Sequence, residues 1–397
     1  MARQSGGDWD VVVLGGGIAG LWILDRLREA GYNAALLERG ELGGGQSLAS
    51  QGIIHGGLKF VLRDDEGLTL KDLAAMPQRW RASLEGRVGP DLSRVRILSP
   101  EVLFWVPPHT GVGGRLLAGA AQTSLRSVTR SIPRPDWPRP FRHDGGGGAL
   151  FAGDEPVLDV ASVMETLLAR NRVVVRRLPQ SELAWSDGAL RCGDFALRTR
   201  CIVAAAGAGN EALRAVLGMP DVACQRRPLR QILIGGLAEP VFAHCAGASD
   251  KPLATVTSYA DGAGGWTWYV GGGIAEEGAG MASESAIGMA QQRLQGYFPG
   301  VDFSNARWSS LEIDRAEFAG RDGRSGATAI VEHGPVLMVW PTKLALTPHL
   351  ADQVLERVSM RLGGAHGTVA PAPSTALSAL PQPDMALAPW RRVSAWN

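Results

Sequence analysis

The 397-residue sequence predicts an α/β fold in two domains: a discontinuous dinucleotide-binding domain on a parallel sheet, and an α+β substrate domain built on an antiparallel sheet. Three observations predict it. Residues 10–20 read D-V-V-V-L-G-G-G-I-A-G, and an acid, Glu38, closes a second apolar run eighteen positions later. A strand, glycine turn and helix start recur at 201–210, ending A-A-G-A-G-N. Between 216 and 320, three apolar or alternating runs read as strands of one antiparallel sheet.

Each part of the first segment has a mechanical reason. Residues 11–14 are an unbroken run of Val and Leu, as a parallel strand buried on both faces requires. Gly15 permits the tight turn out of it, Gly17 lets the backbone approach a pyrophosphate, and Gly20 lets the next helix pack close to the strand. That helix turns its first N–H groups, around Ile18 and Ala19, and its positive dipole end to the phosphates. Leu21, Leu24 and Leu27 form its apolar face, and Gly31 ends it. Glu38, with Arg39 beside it, stands at the tip of the second strand, where a carboxylate accepts hydrogen bonds from both ribose hydroxyls and repels a 2′-phosphate. The unit is Rossmann-like, and the motif by itself does not distinguish NAD from FAD.

Composition excludes several classes. A net charge of +1, dispersed and without a basic stripe, argues against a nucleic-acid partner. No apolar run approaches the roughly 20 residues of a membrane-spanning helix. The first strand begins within ten residues of Met1, which leaves no room for a signal peptide, and a cytoplasmic protein is expected. Cys192, Cys201, Cys224 and Cys245 lie outside any C-x-x-C spacing and read as reduced thiols, with neither a disulfide frame nor a metal site expected.

Residues 41–60, E-L-G-G-G-Q-S-L-A-S-Q-G-I-I-H-G-G-L-K-F, are too rich in glycine for a regular element. A loop of small residues can run alongside an extended dinucleotide, since about fifteen extended residues span some 50 Å. Gly45, Gln46, Ser47, Ser50, Gln51 and Gly52 are therefore expected along the cofactor, with His55 and Lys59 at its reactive ring.

Residues 157–170 read as a helix, 173–175, 183–185 and 195–197 as short strands, and 201–206 as a final strand. The turn after it, with Ala206 and Gly207, is expected to close over the adenine side of the cofactor, and Leu183 is also expected to contact the cofactor. Residues 76–150 interrupt the sheet with prolines, arginines and a run of glycines, and are assigned to the other domain. There 230–237, 254–259 and 266–271 are strands and 284–298 an amphipathic helix. The expected division is 1–75, 151–215 and 321–362 for the cofactor domain, 76–150 and 216–320 for the substrate domain, and 363–397 for an extended tail rich in Ala, Pro and Ser.

The order of these motifs resembles that of the FAD-dependent oxidoreductases of the D-amino-acid oxidase superfamily, over roughly residues 9–362. Two segments are most similar to the flavin-dependent glycerol-3-phosphate dehydrogenases. I-H-G-G-L-K-F at 54–60 is like their I-H-G-G-L-R-Y, and T-K-L-A-L-T-P-H-L-A-D-Q-V-L at 342–355 is like their G-K-L-T-T-Y-R and following helix. Lys59 and Phe60 stand where that family has arginine and tyrosine, and I-D-R-A-E-F, with Arg315, replaces its G-x-R-P. The resemblance implies FAD, held without a covalent bond and contacted by Thr342, Lys343 and Leu344. It also implies a dehydrogenase or oxidase that moves a hydride to flavin N5 from a C–H beside a hydroxyl, in a small anionic substrate such as a 2-hydroxy acid or polyol phosphate. The alternatives are a secondary-amine or amino-acid oxidase, and an electron-transfer flavoprotein acting in a complex.

Only four of the 40 basic residues are lysines, and two of them, Lys59 and Lys343, fall in the flavin-side segments. A compact ammonium at Lys343, just before a helix, favours the negative charge of a reduced flavin. His55 has three readings: a general base, a point of covalent attachment for the flavin, or a histidine hydrogen-bonded within its loop. Arg226, Arg227, Arg230 and Arg315 are candidate clamps for an anion, Arg315 first because it precedes the returning flavin segment. Trp390 and Trp396 are expected to pin the tail, either to the body or to a protein or membrane partner.

Overall fold

A computed structural model describes residues 9–56, 68–108, 129–222, 224–247, 251–319, 328–341, 343–364, 375–393 and 396. Lys59, Phe60 and Thr342 lie outside the described residues.

The first sheet runs in the order Ala329–His333, Val336–Trp340, Phe195–Ala204, Trp9–Leu14, Ala34–Glu38, Val175–Arg177. The last five strands are parallel and Ala329–His333 is antiparallel to its neighbour. Burial on both faces explains why the central strands carry continuous Val, Leu, Ile and Ala instead of alternation. Helix Ile18–Glu29 packs on Val160–Asn171 and Thr347–Leu362. It approaches the sheet so closely that a Cβ at Gly20 would lie 1.9 Å from Gly15 O. Within this packing the buried Asp25 carboxylate is matched by Arg170 Nε at 2.8 Å and Asn171 Nδ2 at 2.7 Å, which offsets its loss of water.

Several element bounds differ from expectation for local reasons. Residues 195–197 and 201–206 belong to one strand, Phe195–Ala204. The helix expected from 157 begins at Val160, because Asp159 caps it by accepting from the N–H groups of Ala161 and Ser162. Val173 sits in a 3-10 turn, Arg172–Val174, and the strand follows as Val175–Arg177.

The second sheet has the order Arg307–Phe318, Cys224–Leu237, Trp266–Gly271, Ala254–Ala260, Ala243–Cys245, Val102–Val106, Ala149–Gly153, Arg130–Ile132. Helix Ser283–Tyr297 covers one face, burying Ile287, Ala290 and Leu294 against Ile232, Val270 and Trp268. The other face is turned to the first domain, where Tyr269 Oη donates to Ala49 O at 3.0 Å.

Residues 76–150 contribute to both hydrophobic cores. Helix Leu68–Leu84 packs on Thr347–Leu362, and Met76, Trp80, Leu92 and Val95 join the first core. Trp80 Nε1 donates to Ala345 O at 2.9 Å. Strands from the remainder extend the second sheet.

Described residues of the C-terminal segment pack on both cores. Helix Thr375–Ser378 buries Leu377 in the first core, and Met385 forms a bridge with Leu42. Leu42 N–H donates to Asp384 O at 2.8 Å and Ala386 N–H to Leu42 O at 3.0 Å. Trp390 and Trp396 then lie on the second sheet, so the described tryptophans pin the tail to the body. All four cysteines are free thiols. No helix among the described residues is long and apolar enough to cross a membrane.

Candidate active site

Ligands of open α/β sheets bind beyond the carboxyl ends of the strands. Here residues 15–19 follow Trp9–Leu14, Glu38 ends the neighbouring strand, 205–209 follow Phe195–Ala204, and Pro341, Lys343 and Leu344 follow Val336–Trp340. All line a cavity of about 1450 Å³ whose opposite wall is the second sheet. A drug-sized ligand needs roughly 300–1,000 Å³, so this space admits a long cofactor together with a substrate.

The glycine turn is held open by specific bonds. Gly15, at φ +115°, runs so close to the turn after Phe195–Ala204 that a Cβ would lie 2.7 Å from Ala205 O. The Gly16 N–H donates to Glu38 Oε2 at 2.5 Å and the Gly40 N–H to Glu38 Oε1 at 2.7 Å. Each carboxylate oxygen keeps a further lone pair for a ribose hydroxyl. Ser47 Oγ accepts from the Ile18 N–H at 3.0 Å, at the start of the helix that Gly17 caps. Gly45 and Gly207 have nothing within 4 Å of where a Cβ would stand. Ser50 Oγ is buried in the cavity wall without a partner among the described residues. Bare glycine backbone at a helix N-terminus, an acid at the ribose end and an unsatisfied hydroxyl along the way fit FAD.

Other expected cofactor residues divide into three groups. Ala19, Gly52, Ala206 and Leu344 line the cavity. Gln46 and Gln51 line it too but engage the second sheet: Gln46 Oε1 accepts from Ala316 N–H at 2.9 Å, and Gln51 Nε2 donates to Thr255 O at 2.8 Å and Tyr269 O at 2.9 Å. Leu183, Arg39 and Gly20 are not in the cavity wall. Leu183 lies in the hairpin Leu183–Ser186 and Ala189–Cys192, with its side chain in the first core, and Arg39 donates to Ser181 O at 3.1 Å.

On the second sheet, alternation sorts the side chains. The register pairs Arg227 with Arg315, Leu229 with Ile313 and Gln231 with Leu311. Arg227, Leu229, Gln231, Ile313 and Arg315 line the cavity, joined by Thr255 and His244 from strands further on. Arg226 and Arg230 have the opposite parity and lie outside it, paired with Glu211 at 3.0 Å and Glu312 at 3.1 Å. Glu317, 1% exposed, receives both cavity-side arginines, with Arg227 Nη1 at 3.7 Å and Arg315 in direct contact. Glu276, 4.0 Å from Arg227 and 2.7 Å from Lys251, and Asp314 line the cavity beside them, so charges of both signs meet here.

The titratable cluster of this wall was not legible in the sequence beyond His55. His55 Nδ1 lies 3.4 Å from Glu155 Oε2, while Glu155 Oε1 accepts from Gly56 N–H at 2.6 Å. The His55 ring stacks on His244, with centroids 5.2 Å apart at 30°, and His244 Nδ1 shares a hydrogen bond with Thr255 Oγ1 at 2.8 Å. Ligand atoms of His55, Glu155 and His244 lie within 4.8 Å of one another, a donor set that a divalent metal also accepts. Glu155 stands in a short turn and His244 in a three-residue strand, so neither carries a spacing signal. Burial pushes the phenols of Tyr259 and Tyr269 up, well above the usual range, so both stay protonated near neutral pH.

A glycine turn closing the first parallel strand, an acid on the second and a mainly antiparallel sheet across the same cavity are the parts of a dinucleotide-binding enzyme of two domains. Residues 10–339 match the FAD dependent oxidoreductase family, DAO, and the chain belongs to it. It is 38% identical over 392 residues to the probable FAD-dependent oxidoreductase PA4991 of Pseudomonas aeruginosa, covering 96% of this chain and 97% of that protein. The crystal structure of PA4991 superimposes with a TM-score of 0.82 at 34% identity, over 98% and 99% of the two chains. Glycerol-3-phosphate dehydrogenase 1 of Mycobacterium bovis is 27% identical over 230 residues, 52% of this chain and 43% of that protein. Glycine oxidase from Geobacillus kaustophilus shares the fold, with a TM-score of 0.65 at 16% identity over 89% and 95% of the chains. The protein is therefore an FAD-dependent enzyme of this family.

Proposed function

We propose that the protein oxidises a hydroxyl-bearing carbon of a small anionic substrate, a 2-hydroxy acid or a polyol phosphate. The observation that carries this reading is His55, backed by the buried Glu155, in the cavity that Arg227 and Arg315 also line. An alcohol must lose its hydroxyl proton as its carbon is oxidised, so it needs a base, whereas an amine can enter already neutral. FAD, when bound, supplies the two-electron acceptor. His55 takes the hydroxyl proton, and Glu155 orients the ring and stabilises the charge it gains. Arg315 and Arg227 hold the carboxylate or phosphate with paired hydrogen bonds, and Glu317 fixes their guanidiniums. The partial likeness to glycerol-3-phosphate dehydrogenase supports the same class. With His55 acting as a base, FAD is held noncovalently and acid releases it.

The test is anaerobic mixing of the purified protein with 2-hydroxy acids, polyol phosphates and amino acids, followed at the flavin absorbance. Bleaching by a hydroxy compound is expected, slowed about a hundredfold or more by His55→Ala and by Glu155→Gln. Bleaching by amino acids alone overturns the reading.

A further inference from the structure

We propose that Gln231 is a specificity-determining residue whose side-chain carbonyl accepts a hydrogen bond from a second donor on the substrate, a hydroxyl or ammonium group apart from the reacting one. The proposal rests on the reading of this cavity as a site for a small anion, and it adds a chemical requirement to that anion.

Gln231 is 6% exposed, lines the cavity, and has no hydrogen-bond partner for its Oε1 among the described residues. Folded proteins leave few buried amide groups unsatisfied, and one in a cavity wall is matched by what enters the cavity. Its surroundings decide which end of the amide meets the ligand. A Cβ at Gly271 would lie 2.6 Å from Gln51 Oε1 and 3.1 Å from Gln231 Oε1, so both side chains use the space that the glycine leaves. Gln51 has committed Nε2 to Thr255 O and Tyr269 O, which fixes its Oε1 as an acceptor over Gly271. An acceptor there is matched by an N–H and opposed by a second carbonyl. Gln231 Oε1 lies beside Gln51 Oε1 over Gly271, so two carbonyl oxygens meet there and the donor that matches them comes from what enters the cavity.

Along the strand the order is Arg227, Leu229, Gln231, with Arg315 and Ile313 beside the first two. An anion subsite and an acceptor subsite are thus separated by one apolar row, Leu229 and Ile313. A short carbon chain with the anion at one end and an O–H or N–H donor toward the other fits that spacing.

The test is calorimetric binding of propanoate, 3-hydroxypropanoate, 3-aminopropanoate and propyl phosphate to the FAD-loaded protein. The hydroxy or amino compound is expected to bind about 10- to 100-fold more tightly than propanoate, and whichever gains identifies the donor. Gln231→Met, similar in size and apolar at its tip, should abolish the preference and leave propanoate binding unchanged. Gly271→Ala, which drives a methyl group into both oxygens, should weaken the preference with Gln231 retained. A preference absent from the wild type, or unchanged in both variants, overturns the role of Gln231 while leaving the anion site standing. Failure of propanoate and propyl phosphate alike to bind overturns the anion site and this proposal with it.

Discussion

Trp390 lies flat on Tyr259, with ring centroids 3.3 Å apart and planes 12° from parallel. It also meets the edge of Tyr269 at 5.7 Å, on the same sheet face that carries the cavity wall. Between Leu377, buried in the first core, and Trp390 on the second sheet, the chain ties the two domains together. An Ala- and Pro-rich segment does this with backbone bonds and two anchors, needing few apolar residues of its own.

Trp390→Ala is accordingly expected to destabilise the protein by about 1–2 kcal/mol, the combined loss of ring stacking and buried area. Ending the chain after residue 374 should cost more, since it also removes Leu377 from a core position. Thermal unfolding measures both. Unfolding curves identical to wild type for both variants would show that the tail is not docked in solution.

Thiol chemistry supplies an independent check of the cores. Burial raises the Cys201 thiol to about 11 and drives Cys245 higher still, so at pH 8 only about one Cys201 in a thousand is thiolate. Cys224, also raised by burial but only partly covered, should react first with a thiol reagent, while Cys201 and Cys245 stay silent until the protein unfolds. Mass mapping of the labelled native protein decides it. Rapid labelling of Cys201 or Cys245 below pH 9 would contradict the packing.

What the sequence showed and what it hid follow a physical division. Gly15, Gly17, Glu38 and Ser47 fall within one continuous strand, turn, helix, strand and loop, residues 15–47 and the strand before them, so their order is readable. His244 and Gln231 act through sheet register, which joins strands from distant parts of the sequence, and Glu155 through a short turn, so no local pattern marks them. Register also separated Arg227 and Arg315 from Arg226 and Arg230, four side chains of one chemistry that only their parity on the strands distinguishes. Helix Leu68–Leu84 escaped for another reason: Pro77 stands inside it, where proline ordinarily breaks the pattern. Gln46 and Gln51 line the cavity as their place in the glycine-rich loop leads one to expect, and their amides also join that loop to the second sheet, which no local pattern shows.

The remaining prediction concerns Lys343, which lines the cavity and caps the 3-10 turn Leu344–Leu346 leading into helix Thr347–Leu362. Lys343 and the positive end of that helix stand together at the carboxyl end of a parallel strand, on the cavity that fits FAD. Their effect should be greatest on negative charge that grows as the cofactor is reduced, and a group that acts more on the transition state than on the ground state changes rate more than affinity. Lys343→Met is expected to slow flavin reduction by about a hundredfold or more, on the order of 2 to 4 kcal/mol for one preorganised charge, with little loss of bound FAD. Methionine keeps much of the length and packing of lysine, and the backbone bonds of Lys343 to Pro341 O and from Leu346 N–H do not depend on the side chain. The flavin reduction potential should fall as well, because the reduced, more negative state loses its counter-charge. Stopped-flow reduction and a potential titration of wild type and variant measure both quantities. If neither changes, Lys343 is a wall residue without electrostatic influence on the reaction.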